Sequence, residues 1–307
     1  MLWLQWLGLG IVLVTLIGYC GGLIFNRTKQ STAQRKFCLA IVPWPFIFGG
    51  CMLFFYGGAR SVTKRVAFDI VRVQEIPTHG KLTALVYVPV KGLMTTSNIT
   101  KGVLIDNNPV GLATDMDYIP ALALHQSQNQ LFVSDWQKKK IRVYDVVTSR
   151  LLFNITDLPF GAQSIAVGDD GWVYMSGQED YVLCIQLATT GQKPAQMMQI
   201  QQFGRNDTFT RLRGLFYEDG LLYVADRTRI VVFRNRSVVK YLTPIIEGRK
   251  MVLWQNMLVV AQTTQMQFFT VTDGRLLATI AGSCFEIACS PTHLYTSSGD
   301  RLMIYTV

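Results

Sequence analysis

The chain has 307 residues, enough for one large domain or two of ordinary size, and with 50% hydrophobic and only 16% charged residues it is not typical of a purely soluble protein. The formal net charge is +9, but residues 1–65 contain seven Lys or Arg and no acid, which leaves 22 bases against 20 acids in the remainder. The basic excess therefore belongs to the N-terminal part, and we expect no nucleic-acid partner.

Two uncharged stretches in this N-terminal part predict a membrane anchor. Each is long enough to cross a hydrocarbon core of about 30 Å, so we expect transmembrane α-helices over about residues 2–25 and 37–59. Pro43 and Pro45 are expected to kink the second helix or to shift its start. The first stretch lacks a basic start and a small-residue cleavage site, which favours a retained span over a signal peptide. The predicted domains are an anchor of residues 1–65, embedded in the lipid bilayer, and a second domain of residues 66–307.

Basic residues and sequons together predict where the second domain lies. The linker between the spans carries four Lys or Arg and the segment after them carries three, so the positive-inside tendency places the second domain on the lumenal or extracellular side of the secretory pathway. Four Asn-x-Ser/Thr sites follow the second span, as in a glycoprotein domain, and they are Asn98, Asn154, Asn206 and Asn235. Cys184, Cys284 and Cys289 make an odd set with no disulfide framework, which keeps the mitochondrial inner membrane as an alternative.

A strand pattern that returns along the chain predicts the architecture of the second domain. It is clearest at Leu222–Asp226, where Asp219-Gly220 provides a hairpin turn before an apolar strand. Similar segments start at residues 131, 173, 258 and 294, so the repeat is 36 to 49 residues long. Each repeat has three or four short strands, which is typical of a β-propeller.

The last repeat ends at its third strand, so the ring needs a strand from elsewhere in the chain to close. Residues 66–76 alternate as a strand does and are the expected donor. Residues 81–110 supply a divergent first blade. We therefore predict an all-β, six-bladed β-propeller preceded by two transmembrane α-helices, with five or seven blades left open.

Two of the repeats resemble a known family. Leu222–Phe233, LYVADRTRIVVF, is similar to the NHL repeat, and Leu131–Tyr144 has the same outline. Six-bladed propellers that look like strictosidine synthase share this superfamily, and membrane-anchored members exist. The resemblance implies that Asp135 and Asp226 organise a turn by accepting hydrogen bonds from local backbone amides.

Few side chains in the sequence have a pattern that indicates catalysis. Lactone- and ester-hydrolysing relatives hold a metal in the central channel, and the resemblance implies Asp115, Asp117 and Glu286 as the metal candidates here. An acid on an inner strand must be solvated or paired, so Glu286 is of most interest. No Cys/His spacing is typical of zinc and no acidic loop is typical of calcium. We predict no cofactor and no catalytic residue.

A cluster of arginines is the other candidate site. Seven of them lie within a window of 32 residues, and they are Arg205, Arg211, Arg213, Arg227, Arg229, Arg234 and Arg236. Such a cluster predicts a docking face for an acidic partner or for lipid headgroups. Four acids in the same window leave open a solvated, salt-bridged face instead.

The sequence thus favours a non-catalytic, membrane-anchored propeller that serves as an interaction or scaffold subunit, accessory to a membrane protein complex. A membrane-bound hydrolase or synthase of the strictosidine-synthase or lactonase type is the alternative. A surface glycoprotein that binds a ligand is the third possibility. The expected partners are the bilayer and other subunits of the complex.

Overall fold

The computed structural model describes residues 39–41, 53–55, 69–106, 108–116, 118–187, 197–204, 209–242 and 247–307. The chain divides into two units, Met1–Phe68 and Asp69–Val307. In the first unit, β1 (Leu39–Ile41) pairs antiparallel with β2 (Leu53–Phe55). These six residues lie inside the second predicted transmembrane helix, and the structure gives strands there instead. The first predicted helix lies outside the described residues.

Helical membrane spans are not seen in the described part of the chain. No helix there is both long enough and apolar enough to cross a bilayer. The described helix is one 3-10 turn, Gln126–Gln128.

The second unit forms six four-stranded antiparallel sheets, which are the blades of a β-propeller. Blades 1 to 5 each use four consecutive strands, β4 to β23, and blade 6 uses β24 to β26 with β3 as its outermost strand. The strands are β3 (Val71–Pro77), β4 (Leu82–Val88), β5 (Gly92–Ser97), β6 (Val103–Ile105), β7 (Asn108–Leu112), β8 (Leu122–His125), β9 (Gln130–Asp135), β10 (Lys140–Asp145), β11 (Leu151–Ile155), β12 (Ser164–Val167), β13 (Trp172–Ser176), β14 (Val182–Leu187), β15 (Met197–Phe203), β16 (Gly214–Glu218), β17 (Leu221–Ala225), β18 (Ile230–Arg234), β19 (Ser237–Leu242), β20 (Lys250–Trp254), β21 (Met257–Ala261), β22 (Gln265–Thr270), β23 (Leu276–Ala281), β24 (Ile287–Cys289), β25 (Leu294–Ser298) and β26 (Arg301–Thr306).

The ring is closed by a strand from the start of the second unit. β3 pairs antiparallel with β26, from Pro77 opposite Arg301 to Val71 opposite Thr306. Glu75 of β3 forms an ion pair with Arg301 of β26, which joins the two ends of the propeller through side chains as well as backbone. This pairing removes the open edge that the three-strand last repeat would otherwise leave.

The recurring segment of the sequence forms the second strand of each blade from 2 to 6. In blade 4, Asp219 and Gly220 both have positive φ, 50° and 74°, as the type I′ turn between β16 and β17 requires. Val224 and Ala225 of β17 are completely buried. Small and β-branched residues at these positions let the faces of neighbouring blades pack closely, so the hydrophobic core lies between blades.

The innermost strands position the candidate site. They are β4, β8, β12, β16, β20 and β24, and each contacts the next around the ring until β24 contacts β4. We call the face where these six strands begin the upper face, and the face where they end the lower face. Loops that lead into the innermost strands therefore meet at the upper face.

Candidate functional site

A central channel runs between the six innermost strands. It has a volume of about 240 Å³. Every blade lines it with one or more aliphatic residues, for example Ala84, Leu122, Ile165, Leu215, Met251 and Ile287. Polar side chains concentrate at its ends, so the chemistry of the channel is at its two mouths.

Lys250 closes the upper mouth of this channel. Its Nζ donates to the carbonyl oxygens of Gln163 at 3.1 Å and Pro120 at 3.3 Å, and it lies 3.6 Å from Oε2 of Glu286. These partners belong to blades 3, 2 and 6, whereas Lys250 begins the innermost strand of blade 5. Its side chain is only 17% exposed. One ammonium group therefore crosses the mouth and ties four blades together.

Glu286, the acid that the sequence singled out, is the partner of Lys250. It precedes β24, and its backbone N–H donates to Oγ of Ser297 at 3.0 Å. Burial raises the pKa of its carboxyl to about 7, while Lys250, Arg249 and Lys81 oppose that rise. The side chain is 13% exposed. The carboxyl is thus held at the mouth by a lysine that the sequence analysis did not select.

Basic side chains from three blades form an arc above this pair. Arg213 precedes the innermost strand of blade 4 and Arg249 that of blade 5, and a Cβ at Gly214 would collide with the carbonyl oxygen of Arg249. Burial and then the charges of Arg211 and Arg249 lower the pKa of Arg213. The arc continues across blade 6 to Lys81, which enters blade 1. We call Lys81, Arg211, Arg213 and Arg249 the basic arc.

An aromatic ring joins two members of the basic arc. The Phe285 ring lies 4.3 Å from Nζ of Lys81 and 5.3 Å from the guanidinium carbon of Arg249, both measured to its centroid. Such cation–π contacts fix long side chains that would otherwise sweep through solvent. Phe285 of blade 6 therefore orients Lys81 and Arg249.

Blade 2 contributes aromatic rather than basic side chains to the upper mouth. Tyr118 precedes its innermost strand, is 39% exposed, and packs edge-to-face on Trp136 with 6.1 Å between ring centroids. Burial and the charge of Glu286 raise the pKa of Tyr118, which places it near the mouth. The upper face is thus basic on blades 4, 5 and 1 and aromatic on blade 2.

Asp115, the second acid proposed for a metal, does not join Glu286. Asp115 accepts two hydrogen bonds from Arg142, at 2.6 and 2.7 Å, and this fork lowers the pKa of its carboxyl. Arg142 also reaches Asp135, so Asp115 belongs to an ion cluster of blade 2. Asp117 lies outside the described residues. Within the described ranges, no three His, Cys, Asp or Glu side chains stand close enough to hold a metal ion.

The predicted arginine cluster is divided between the two faces. Arg211 and Arg213 lie at the upper mouth, and Arg227 and Arg229 lie in the loop from β17 to β18, which is on the same face. Arg234 and Arg236 lie in the turn between β18 and β19 on the lower face, where the Arg236 guanidinium stacks on Trp172 at 4.4 Å. Arg205 is outside the described residues. Arginines that are close in sequence therefore do not form one surface cluster, because Arg234 and Arg236 lie on the face opposite to the others that the structure describes.

Asp226 organises its turn as the family resemblance implied. One carboxylate oxygen accepts hydrogen bonds from the backbone N–H groups of Thr210, Arg211 and Arg227, at 2.7 to 2.9 Å, and from the Thr210 hydroxyl. The side chain is completely buried. This carboxylate fixes the chain just before Arg213 and so supports the basic arc.

The lower mouth carries the opposite charge. Glu218 ends β16, and burial, followed by the charges of Asp219 and Asp169, raises its pKa. His125 ends β8 with its Nε2 buried, without a hydrogen bond among the described residues, and 3.7 Å from the Asp169 carboxylate. The channel therefore has a basic upper mouth and an acidic lower mouth.

The sequons and cysteines occupy different environments. Asn98, Asn154 and Asn235 are exposed, and Asn206 lies outside the described residues. Cys184 and Cys284 are buried free thiols, and Cys289 is a partly buried free thiol whose pKa is raised to about 11 by burial. Such thiols are protonated at neutral pH.

Comparisons with known proteins add no family to this geometry. No protein-family model matches the chain, and no curated protein matches its sequence. The class defined by the fold is therefore a six-bladed β-propeller with a channel closed at one mouth.

Proposed function

We propose that the protein is a non-catalytic interaction module that binds a partner on the upper face of its propeller. The observation that carries this proposal is the closure of the channel by Lys250, whose ammonium uses two carbonyls and Glu286 as partners. A closed mouth withdraws its acid from reacting groups and leaves a charged, aromatic surface exposed above it. The likeness of Leu222–Phe233 to NHL repeats supports the same role, since propellers offer broad faces for recognition.

We further propose that this module is an accessory subunit of a membrane complex. The support is the uncharged length of the stretches within residues 1–65, each sufficient for a span. The exposure of Asn98, Asn154 and Asn235 supports a lumenal or extracellular propeller; the mitochondrial inner membrane is the alternative compartment.

Affinity purification of the full chain in mild detergent tests this function. We expect defined subunits to co-purify in constant ratio to the protein. A monomer that carries no other protein after cross-linking in intact membranes would contradict the proposal.

A second function is favoured by one observation on Glu286. A carboxyl whose pKa is raised to about 7 beside a channel is suited to general acid–base catalysis, as in a hydrolase or synthase of the strictosidine-synthase type. The described residues do not fit the calcium site of lactonase-type relatives, because Ca²⁺ takes six to eight oxygen ligands and Glu286 is bound to Lys250. Ester or lactone hydrolysis that disappears in Glu286→Gln, with folding unchanged, would replace the first proposal by this one.

A further inference from the structure

We propose that the basic arc binds an acidic peptide segment of the partner, with aromatic residues among its acids. This inference rests on the proposed interaction function and specifies its ligand. Lys81, Arg213 and Arg249 would receive carboxylates, and the exposed edge of Tyr118 would receive an apolar or aromatic side chain.

Two arginines of the basic arc, Arg213 and Arg249, keep guanidinium N–H donors for a ligand. Among the described residues, no carboxylate stands within ion-pair distance of the Arg213 guanidinium, and Glu247 acts on it only from longer range. Arg249 uses its Nε on Oγ1 of Thr263, at 3.2 Å, which leaves its terminal nitrogens for another acceptor. Planar guanidinium groups bind carboxylates through two parallel hydrogen bonds.

The fold brings these like charges together. Gly214 lacks the Cβ that would collide with the backbone of Arg249, so the two arginine-bearing segments approach closely. Asp226 fixes the backbone of Arg211 from below. The electrostatic repulsion among Arg211, Arg213 and Arg249 destabilises the unliganded face, and a bound anion would reduce it.

The shape of the upper face suits an extended ligand. Lys250 and Glu286 close the channel beneath the arc, so the surface above is open rather than enclosed. Enclosed pockets suit small molecules, whereas an open face spanning several blades suits an extended chain. The basic blades and the aromatic blade 2 face one another across the mouth, and a chain crossing it would meet both.

Fluorescence anisotropy with the full-length protein in mild detergent tests the proposal. The probe is a fluorescein-labelled peptide of alternating Glu and Tyr residues, and the reference is a peptide of alternating Lys and Tyr. We expect saturable binding of the first alone, weakened by salt because the contacts are ionic. Arg213→Gln/Arg249→Gln should weaken binding by about tenfold or more.

A charge-matched control is provided by Arg234→Gln/Arg275→Gln, which removes two exposed arginines from the lower face and should leave affinity unchanged. If the arginine variant of the arc does not fold, Lys81→Gln, at an exposed position, takes its place and should also weaken binding. Equal affinity in all variants would overturn the inference, as would the absence of peptide binding.

Three other outcomes are informative. Displacement of the peptide by glycerophosphoserine at lower concentration than by free glutamate would assign the arc to lipid headgroups and overturn the proposal. Subunits that still co-purify with a variant lacking the arc would leave the interaction function standing while removing this site. Loss of both peptide binding and co-purification from the wild-type protein would remove both.

Discussion

Lys250→Met should destabilise the propeller strongly, because Met preserves the length of the side chain and removes only its ammonium group. The variant loses two charge-assisted hydrogen bonds to the carbonyl oxygens of Gln163 and Pro120. At 3.1 and 3.3 Å these are at the weak end of the range, so we expect about 3 kcal/mol for the two together. Above the pKa of Glu286 the variant also leaves a buried carboxylate unpaired, which brings the loss to about 5 kcal/mol.

Urea unfolding followed by tryptophan fluorescence measures this loss at pH 5.5 and pH 8. We expect the larger loss at pH 8, because at pH 5.5 Glu286 is already protonated in the wild type and needs no cation. Lys240→Met is the matched control, since Lys240 also donates to two backbone carbonyls, those of Val271 and Thr272, at a partly exposed site on the outermost strand of its blade. It should cost under about 1 kcal/mol. A loss in Lys250→Met no larger than in this control would refute the closed mouth.

Three further predictions concern Asp226, Glu286 and the glycosylation sites. Asp226→Ala should lower the free energy of unfolding by about 3 kcal/mol, since it strands backbone N–H groups, and Asp226→Asn should recover part of this in the same urea assay. Burial raises the pKa of the Glu286 carboxyl from 4.5 to about 7, so between these pH values the folded state holds a proton that the unfolded chain releases. The free energy of unfolding should therefore fall as the pH rises from 4.5 to 7, by up to about 3 kcal/mol. Glu286→Gln should abolish that component, and an unchanged pH profile would count against it. Treatment with an N-glycosidase should lower the apparent mass on a gel; an unshifted band would favour the mitochondrial alternative.

The blades could be predicted from sequence because each carries its own local signal. A hairpin is predicted by a turn sequence that favours positive φ, such as Asp219-Gly220, followed by a run of small or β-branched residues. Glu286 could also be identified from the sequence, since an acid beside an innermost strand must be solvated or paired. Asp226 was assigned correctly because its partners lie in the adjacent turn and the loop before the same blade.

The contacts at the upper mouth could not be predicted from the sequence, because closure of the ring brings together residues that are distant along the chain. Lys250 is an ordinary lysine at the start of a strand, and its importance depends on carbonyls 87 and 130 residues away. The basic arc joins Lys81 to Arg249 through Phe285, which no local pattern connects. Conversely, Arg236 is near Arg213 in sequence yet on the other face, because three strands, β16 to β18, separate them.

The central claim is that the upper face of the propeller is the surface that binds the partner. Quantitative affinity purification of the full chain, its Arg213→Gln/Arg249→Gln variant and its Arg234→Gln/Arg275→Gln variant tests it most directly. The account predicts that subunits co-purifying with the wild type persist with the lower-face variant and are depleted by about tenfold or more with the upper-face variant. Equal recovery with both variants, in proteins of equal stability, would contradict it.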